Sequence, residues 1–258
     1  MRGHAGEPTH VVVLRTLGAP QRRLLGGRWA RPAPPEPPPE PVPTARATVI
    51  AARPFEGEGA AELWLRDVDL EAQAAAGVAV VNRLLHLHRV ATADAAVPEA
   101  ARDLAIAVRV GIGRGDEVAE GRWTEARRLP PRRPRRRRDA APRPQERLAA
   151  LLAGRDVALA CEALALRARA DLDAGRTREA ALQLRVALAA ALDELLAWAP
   201  RGDLERRIAE LRELRPAANA AADAARQGGL DDAAAADVQR VLGRLEAALR
   251  ARTAVGPD

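Results

Sequence analysis

Lysine, serine and tyrosine are missing from this chain: among its 258 residues, all 41 basic side chains are arginine. That excludes lysine Schiff bases, the lysine of a phosphate loop, serine nucleophiles and serine–lysine pairs, because the atoms they require are not there. Aromatic residues are scarce, one phenylalanine (Phe55) and four tryptophans, so a core must be assembled from Leu, Val and Ala. Such a core buries less area per residue and favours thin helical packing with close interhelical approach. The single cysteine, Cys161, excludes an intrachain disulfide and fits a reducing compartment. Long apolar runs are lacking too. Residues 11–14 form a short apolar stretch ended by Arg15, far from a signal core or the roughly 20 residues that span a bilayer. The expectation is a soluble cytoplasmic protein that does not enter a membrane.

What the chain has in abundance is alanine, 61 residues, together with arginine, the pair a GC-rich genome writes wherever selection permits. Distribution therefore says more than total. The net charge is +6, yet residues 127–147, with ten arginines and two acids, carry +8, which leaves −2 for everything else. The tract holds Arg127, Arg128, Arg132, Arg133, Arg135, Arg136, Arg137 and Arg138, with prolines at 130, 131 and 134 that forbid a regular helix. An extended cationic ribbon of about 35 Å follows, at roughly 3.1 Å per residue. It could track several phosphates, make bidentate contacts and stack on unpaired bases, but proline and arginine alone offer no sequence readout. Trp123, just before the tract, could stack on a base or anchor the end of the preceding domain. A solvated linker in an arginine-biased chain is the plain alternative.

Upstream, eight of the twelve positions in 32–43 are proline, which reads as an extended polyproline spacer. Pro34 and Pro37 make a P-x-x-P spacing that also suits a peptide ligand. Residues 1–44 are expected to form a disordered arm plus this spacer, although residues 11–14 could be a strand and 22–25 a helical turn. A small α-rich or α+β domain is expected over 45–126. It would hold a short strand at 48–50, a helix over 58–66 with Trp64 and Leu65 inward, and a longer helix over 70–89. Residues 98–112 satisfy both periods, strand-like through Leu104, Ile106, Val108, Val110 and Ile112, helix-like through Pro98 and the Leu104/Val108 step; helix is preferred. Residues 127–144 are a linker, 145–252 an all-helical domain, and 253–258 a tail. In that domain helices are expected over 145–153, 155–174, 177–198 and 203–214, then an alanine-rich helix after Pro216 and a final one opened by Asp231, joined by short turns that imply antiparallel neighbours. The fold class is therefore mainly α, with a C-terminal antiparallel helical-hairpin domain and the smaller N-terminal domain.

Within it, Ala168, Gly175, Ala180, Leu184, Ala187 and Leu188 stand in the order and spacing of a tetratricopeptide-type helical hairpin, echoed at Gly228, Leu230 and Ala233. Residues 161–192 resemble one such repeat. Leu164 replaces the usual aromatic, Arg167 occupies an apolar position, and no proline closes the unit, so the likeness is to a related hairpin more than to an array. The resemblance implies binding of a protein or peptide on a helical surface.

Other candidates have duller readings. Gly111, Gly113 and Gly115 suggest a phosphate loop, but Asp116 stands where the dinucleotide fingerprint needs its third glycine, and a cap for a short turn through Glu120 is the simpler role. His86 and His88 point about 200° apart on one helix, so they cannot share a metal ion; His88 falls on the apolar stripe of a core or interface histidine. Cys161 shares an apolar face with Leu164 and Ala168, where a thiolate is disfavoured. The acid pairs Asp171/Asp173, Asp193/Glu194 and Asp231/Asp232 suit caps and solvated faces. No catalytic residue, metal or cofactor is assigned. The expected function is a non-catalytic interaction protein whose helical domain binds a protein partner while the tract contacts RNA or DNA phosphates, or an acidic surface. Alternatives are a dedicated, sequence-nonspecific nucleic-acid-binding protein and a carboxylate-dependent enzyme.

Overall fold

The computed structural model describes residues 7–17, 44–131 and 143–255. Within them the chain is mainly α, with eight α-helices and two two-stranded antiparallel sheets, and it divides into two compact units, residues 1–134 and 135–258.

In the first unit, β1 (His10–Leu17) pairs with β2 (Thr44–Ala51) from His10 opposite Ala51 to Leu17 opposite Thr44. The expected strand at 48–50 is there. The expectation of an unstructured arm is corrected for 10–17: a Val-rich, β-branched run pairs where it meets another, and its partner lies beyond the proline segment. The proline segment itself and residues 22–25 lie outside the described residues. Helix α1 (Glu58–Asp67) buries Ala61 and Leu65. Helix α2 (Leu70–Thr92) starts at Asp69, whose carboxylate accepts from the N–H groups of Glu71 and Ala72 at 2.9 and 3.0 Å. Residues 98–112 are not the preferred helix. The alternating half prevails as β3 (Arg109–Ile112), which pairs with β4 (Glu125–Arg128) around a short helix α3 (Gly115–Ala119). Ile112 packs with Ala61 and Leu65 in a small core flanked by Trp64, Leu70 and Val110, so burial on one face selects the period of two over the helical one.

The second unit begins with α4 (Pro144–Leu152) and continues with α5 (Ala160–Asp173) and α6 (Thr177–Glu194), the latter running into a 3₁₀ turn (Leu195–Trp198). Helices α7 (Leu204–Gln227) and α8 (Asp232–Val255) complete it. Successive helices from α5 onward pack on each other across short turns and are therefore antiparallel, and α8 also returns to α5 and α6. Cys161, Ala168, Ala180, Ala181, Ala187 and Ala191 are wholly buried at the α5–α6 contact and around it. Small side chains here let two backbones approach closely, the arrangement a core poor in aromatics requires.

Two expected boundaries are corrected. Helix α5 starts at Ala160 instead of 155, because two glutamates, one its own and one from α6, satisfy its first turn: Glu162 accepts from Leu159 N–H at 3.0 Å, and Glu194 accepts from Ala160 and Cys161 N–H at 3.2 and 2.9 Å. Val157, inside the expected helix, precedes the observed one and is exposed. Pro216 does not separate two helices but sits inside α7. Its inward stripe of Leu204, Ile208, Leu211, Ala218, Ala222 and Ala225 continues across the proline, which faces solvent, where a lost hydrogen bond is replaced by water.

A buried ion-pair cluster ties the ends of this unit together. Arg252 of α8, 3% exposed, donates to Asp156 and to the Val157 carbonyl and stacks 4.5 Å over the Trp198 ring. Arg147 of α4 donates to Asp156 at 3.2 Å and to both oxygens of Glu162 at 2.6 and 2.8 Å. Burial resists ionisation of Asp156, but hydrogen bonds from Arg252, the Val157 N–H and Arg147 outweigh it and hold the carboxyl below its usual range. A carboxyl depressed in the folded state contributes stability above its unfolded pKa, and this is lost as pH falls through the folded value. Unfolding midpoints are therefore expected to drop steeply in acid below about pH 4, and Arg252→Met, which leaves Asp156 short of a partner, is expected to cost about 3 kcal/mol at neutral pH, less in acid. Urea titration of both proteins across pH checks this. In the same assay Pro216→Ala is expected to stabilise the unit by about 1–3 kcal/mol.

Candidate nucleic-acid interface

The basic tract emerges from the β3–β4 ribbon, whose register fixes where its first arginines point. Arg109 stands opposite Arg128, Val110 opposite Arg127, Gly111 opposite Ala126 and Ile112 opposite Glu125. Side chains alternate across a ribbon, so Val110, Ile112, Arg127 and Glu125 share the face toward α1, and Arg109, Arg128, Gly111 and Ala126 share the other. Arg127 and Arg128 therefore diverge. Arg127 lies 3.9 Å from Glu125 and borders a shallow cleft of about 440 Å³ with Gly59, Glu62, Leu63, Arg66 and Glu125, where charges of both signs cancel. Arg128 is exposed and makes no ion pair with any described residue; the same holds for Arg109, which sequence reasoning passed over. No local spacing could have marked Arg109, because its pairing with Arg128 is a matter of strand register.

The point at which the chain leaves this ribbon is anchored. The Leu129 N–H donates to the Val108 carbonyl at 3.0 Å, its side chain is 3% exposed, and the buried Arg102 guanidinium donates to the Pro130 carbonyl at 3.0 Å while lying 3.7 Å from Glu71 of α2. Arg127 and Arg128 thus belong to a strand instead of a free ribbon. Arg132, Arg133, Arg135, Arg136, Arg137 and Arg138 lie outside the described residues. Trp123 is half-buried, and its Cα would stand 3.4 Å from a Cβ on Gly113, in the turn that returns the chain to β4.

The remaining candidates resolve into structural roles. A side chain on Gly111 would stand 2.7 Å from the Ala126 Cβ, one on Gly113 would stand 2.6 Å from Val118, and Gly115 has a φ of +43° at the first residue of α3. Close strand approach and a left-handed turn explain the glycines. Asp116 lies in the first turn of α3 without capping it, the cap position being Arg114. His88 is exposed instead of packed, while His86 is half-buried with Nδ1 unpartnered. The Cys161 thiol is pushed up by burial first and then by the Glu194 carboxylate beside it, the reverse of what a nucleophile needs. Asp171 binds Arg176 at 2.7 Å and Gln183 at 3.0 Å, and Asp231 caps α8 through Ala234 N–H at 2.7 Å. Among the described residues no group of three or more His, Cys, Asp or Glu is placed to hold a metal ion, and no helix is long and apolar enough to cross a membrane.

Compared with protein-family models, with curated proteins and with solved structures, the chain matches none of them.

The anchor at Pro130 is expected to govern access to the arginines behind it. Arg102→Ala should raise the rate of trypsin cleavage after Arg127 and Arg128 several-fold in limited proteolysis, since opening the strand end exposes both bonds. Equal rates in parent and variant would show that Leu129 burial alone holds the segment.

Proposed function

We propose that the chain is a non-catalytic interaction protein that contacts nucleic-acid phosphates through residues 127–147 without reading sequence, and holds a protein partner on its helical unit. The observation that carries the first half is the sorting of arginines. Many of those in the fold are matched with acids, as in Arg169 with Glu246 at 2.8 and 2.9 Å, Arg176 with Asp171 and Arg252 with Asp156, whereas others, such as Arg83, Arg167 and Arg212, stand singly and apart along the helices. The tract instead includes Arg128, exposed at the end of β4 and in no ion pair with any described residue, and holds six more within residues 132–138. A cationic stretch of this density releases counterions from a polyanion, which supplies affinity independent of base identity. The second half rests on the α5–α6 hairpin and its tetratricopeptide-like spacing, with Leu166, Leu182 and Val186 at 71, 38 and 54% exposure. Apolar side chains left open on a helical pair favour a protein partner.

The test replaces Arg132, Arg133 and Arg135 through Arg138 with Gln in the full chain. Deleting 127–147 would remove the second half of β4 and the first turn of α4 and so confuse binding with folding. If half of the six arginines engage phosphates, log affinity of the parent for duplex DNA falls against log salt with an additional slope of about −2.7 relative to the variant. That corresponds to roughly forty-fold between 50 and 200 mM salt. Equal slopes would reduce the tract to a linker. Gln substitution at Leu166 and Val186 should leave that slope unchanged while reducing capture of a protein partner; a dedicated nucleic-acid-binding protein would show no partner to lose.

A further inference from the structure

We propose that Arg109 and Arg128 form a two-arginine fork that grips one backbone phosphate of a nucleic acid on the open face of the β3–β4 ribbon. This rests on the nucleic-acid reading above and adds to it a defined site that joins Arg128, at the start of the tract, to Arg109 outside it. Residues directly opposite in an antiparallel pair have Cα atoms about 4.5–5.5 Å apart, so two guanidinium groups here emerge side by side, and like charges in that position repel. The chain meets the same problem in its other sheet and handles it differently. Arg15 stands opposite Arg46, but Arg15 lies 3.9 Å from Glu120, and the Arg46 guanidinium packs against Gly121, which has no side chain to displace it. Neither remedy operates at Arg109 and Arg128, which are exposed and without an ion pair to any described residue. Glu125, the acid on the same ribbon, faces the opposite way and pairs with Arg127.

What the pair lacks is an oxyanion. A phosphodiester between two guanidinium groups removes their repulsion, and its two non-bridging oxygens accept from both planar forks at once, more hydrogen bonds than a single ammonium or a lone arginine supplies. The next positions along this face are Gly111 and Ala126, so the ribbon beside the fork is bare backbone and a methyl group. A sugar–phosphate chain can lie flat against it, and no side chain there can hydrogen-bond a base edge. The site therefore takes phosphodiesters of any sequence. A phospholipid headgroup offers the same oxyanion, but on the ribbon face itself the fork is accompanied only by Gly111 and the Ala126 methyl, too little apolar surface to enter a bilayer.

The experiment compares the full chain with the R109A/R128A double variant, both with residues 129–147 intact. Binding is measured to a single-stranded oligouridylate, to duplex DNA and to vesicles of anionic phospholipid across a salt titration. Loss of one shared phosphate is expected to make the slope of log affinity against log salt shallower by about 0.7 for the single strand and about 0.9 for the duplex. The gap between the two proteins would then narrow roughly threefold between 50 and 200 mM salt. The variant is expected to melt no earlier than the parent, since truncation removes a like-charge pair, so weakened binding will not reflect unfolding. Undiminished slopes in a variant that still binds through its tract would overturn the fork and leave the nucleic-acid reading standing. Failure of the parent to bind either nucleic acid would overturn both, and fork-dependent binding confined to vesicles would overturn the assignment to nucleic acid.

Discussion

The buried Arg252 guanidinium is the constraint on which the helical unit depends. It arrives near the end of the last helix, is 3% exposed, and is held by Asp156 and the face of Trp198. Because Asp156 also takes Arg147, and Arg147 takes Glu162, one charge cluster joins α4, the segment before α5, the start of α5 and the end of α8. A core made mostly of alanine and leucine is non-directional and tolerates sliding of one helix on another. Directional pairs at its end fix the register that apolar contact leaves loose. Glu194 adds a second such constraint by capping α5 from the far end of α6.

That logic gives arginine two roles in a chain that has no lysine. Where a guanidinium is buried, it has carboxylates or carbonyls around it: Arg102 at Pro130, Arg147 at Glu162, Arg252 at Asp156. Where it stands exposed on the open face of β3–β4, it has none among the described residues. The two roles use the same side chain, and composition cannot separate them. Only the positions of the acids can. The net charge of +6 thus understates the local imbalance, because residues 127–147 alone carry +8.

Much of the helical architecture is legible in the sequence, and the reasons are local. Gly154 and Gly175 adopt φ of +67° and +75° just past α4 and α5, where C-terminal glycine signals them, and the three- and four-residue steps of Leu184, Leu188 and Ala191 give α6 its buried face. What sequence reasoning misses is non-local. Residues 10–17 carry no sign that a partner strand waits beyond a proline segment. Leu104 and Val108 fit a helix as well as a strand until the burial of Ile112 against Leu65 decides. Pro216 reads as a break because its local cost is visible, while the stripe that continues past it is distributed over more than twenty residues. At the candidate site, density of arginine marked Arg127 and Arg128 but not that they face opposite ways, nor that Arg109 joins the second of them. A strand register determines both.

Phosphate binding depends on which arginines are free to meet the anion. Nuclear magnetic resonance of the arginine Nε–Hε groups during titration with a single-stranded oligonucleotide reads this residue by residue. The expected result is progressive, salt-sensitive shifts at Arg109, Arg128 and the tract, with the signals of Arg147, Arg169 and Arg252 unmoved because their carboxylates already hold them. Unshifted signals at Arg109 and Arg128, or shifts spread evenly over the paired arginines, would contradict the division of labour on which this reading stands.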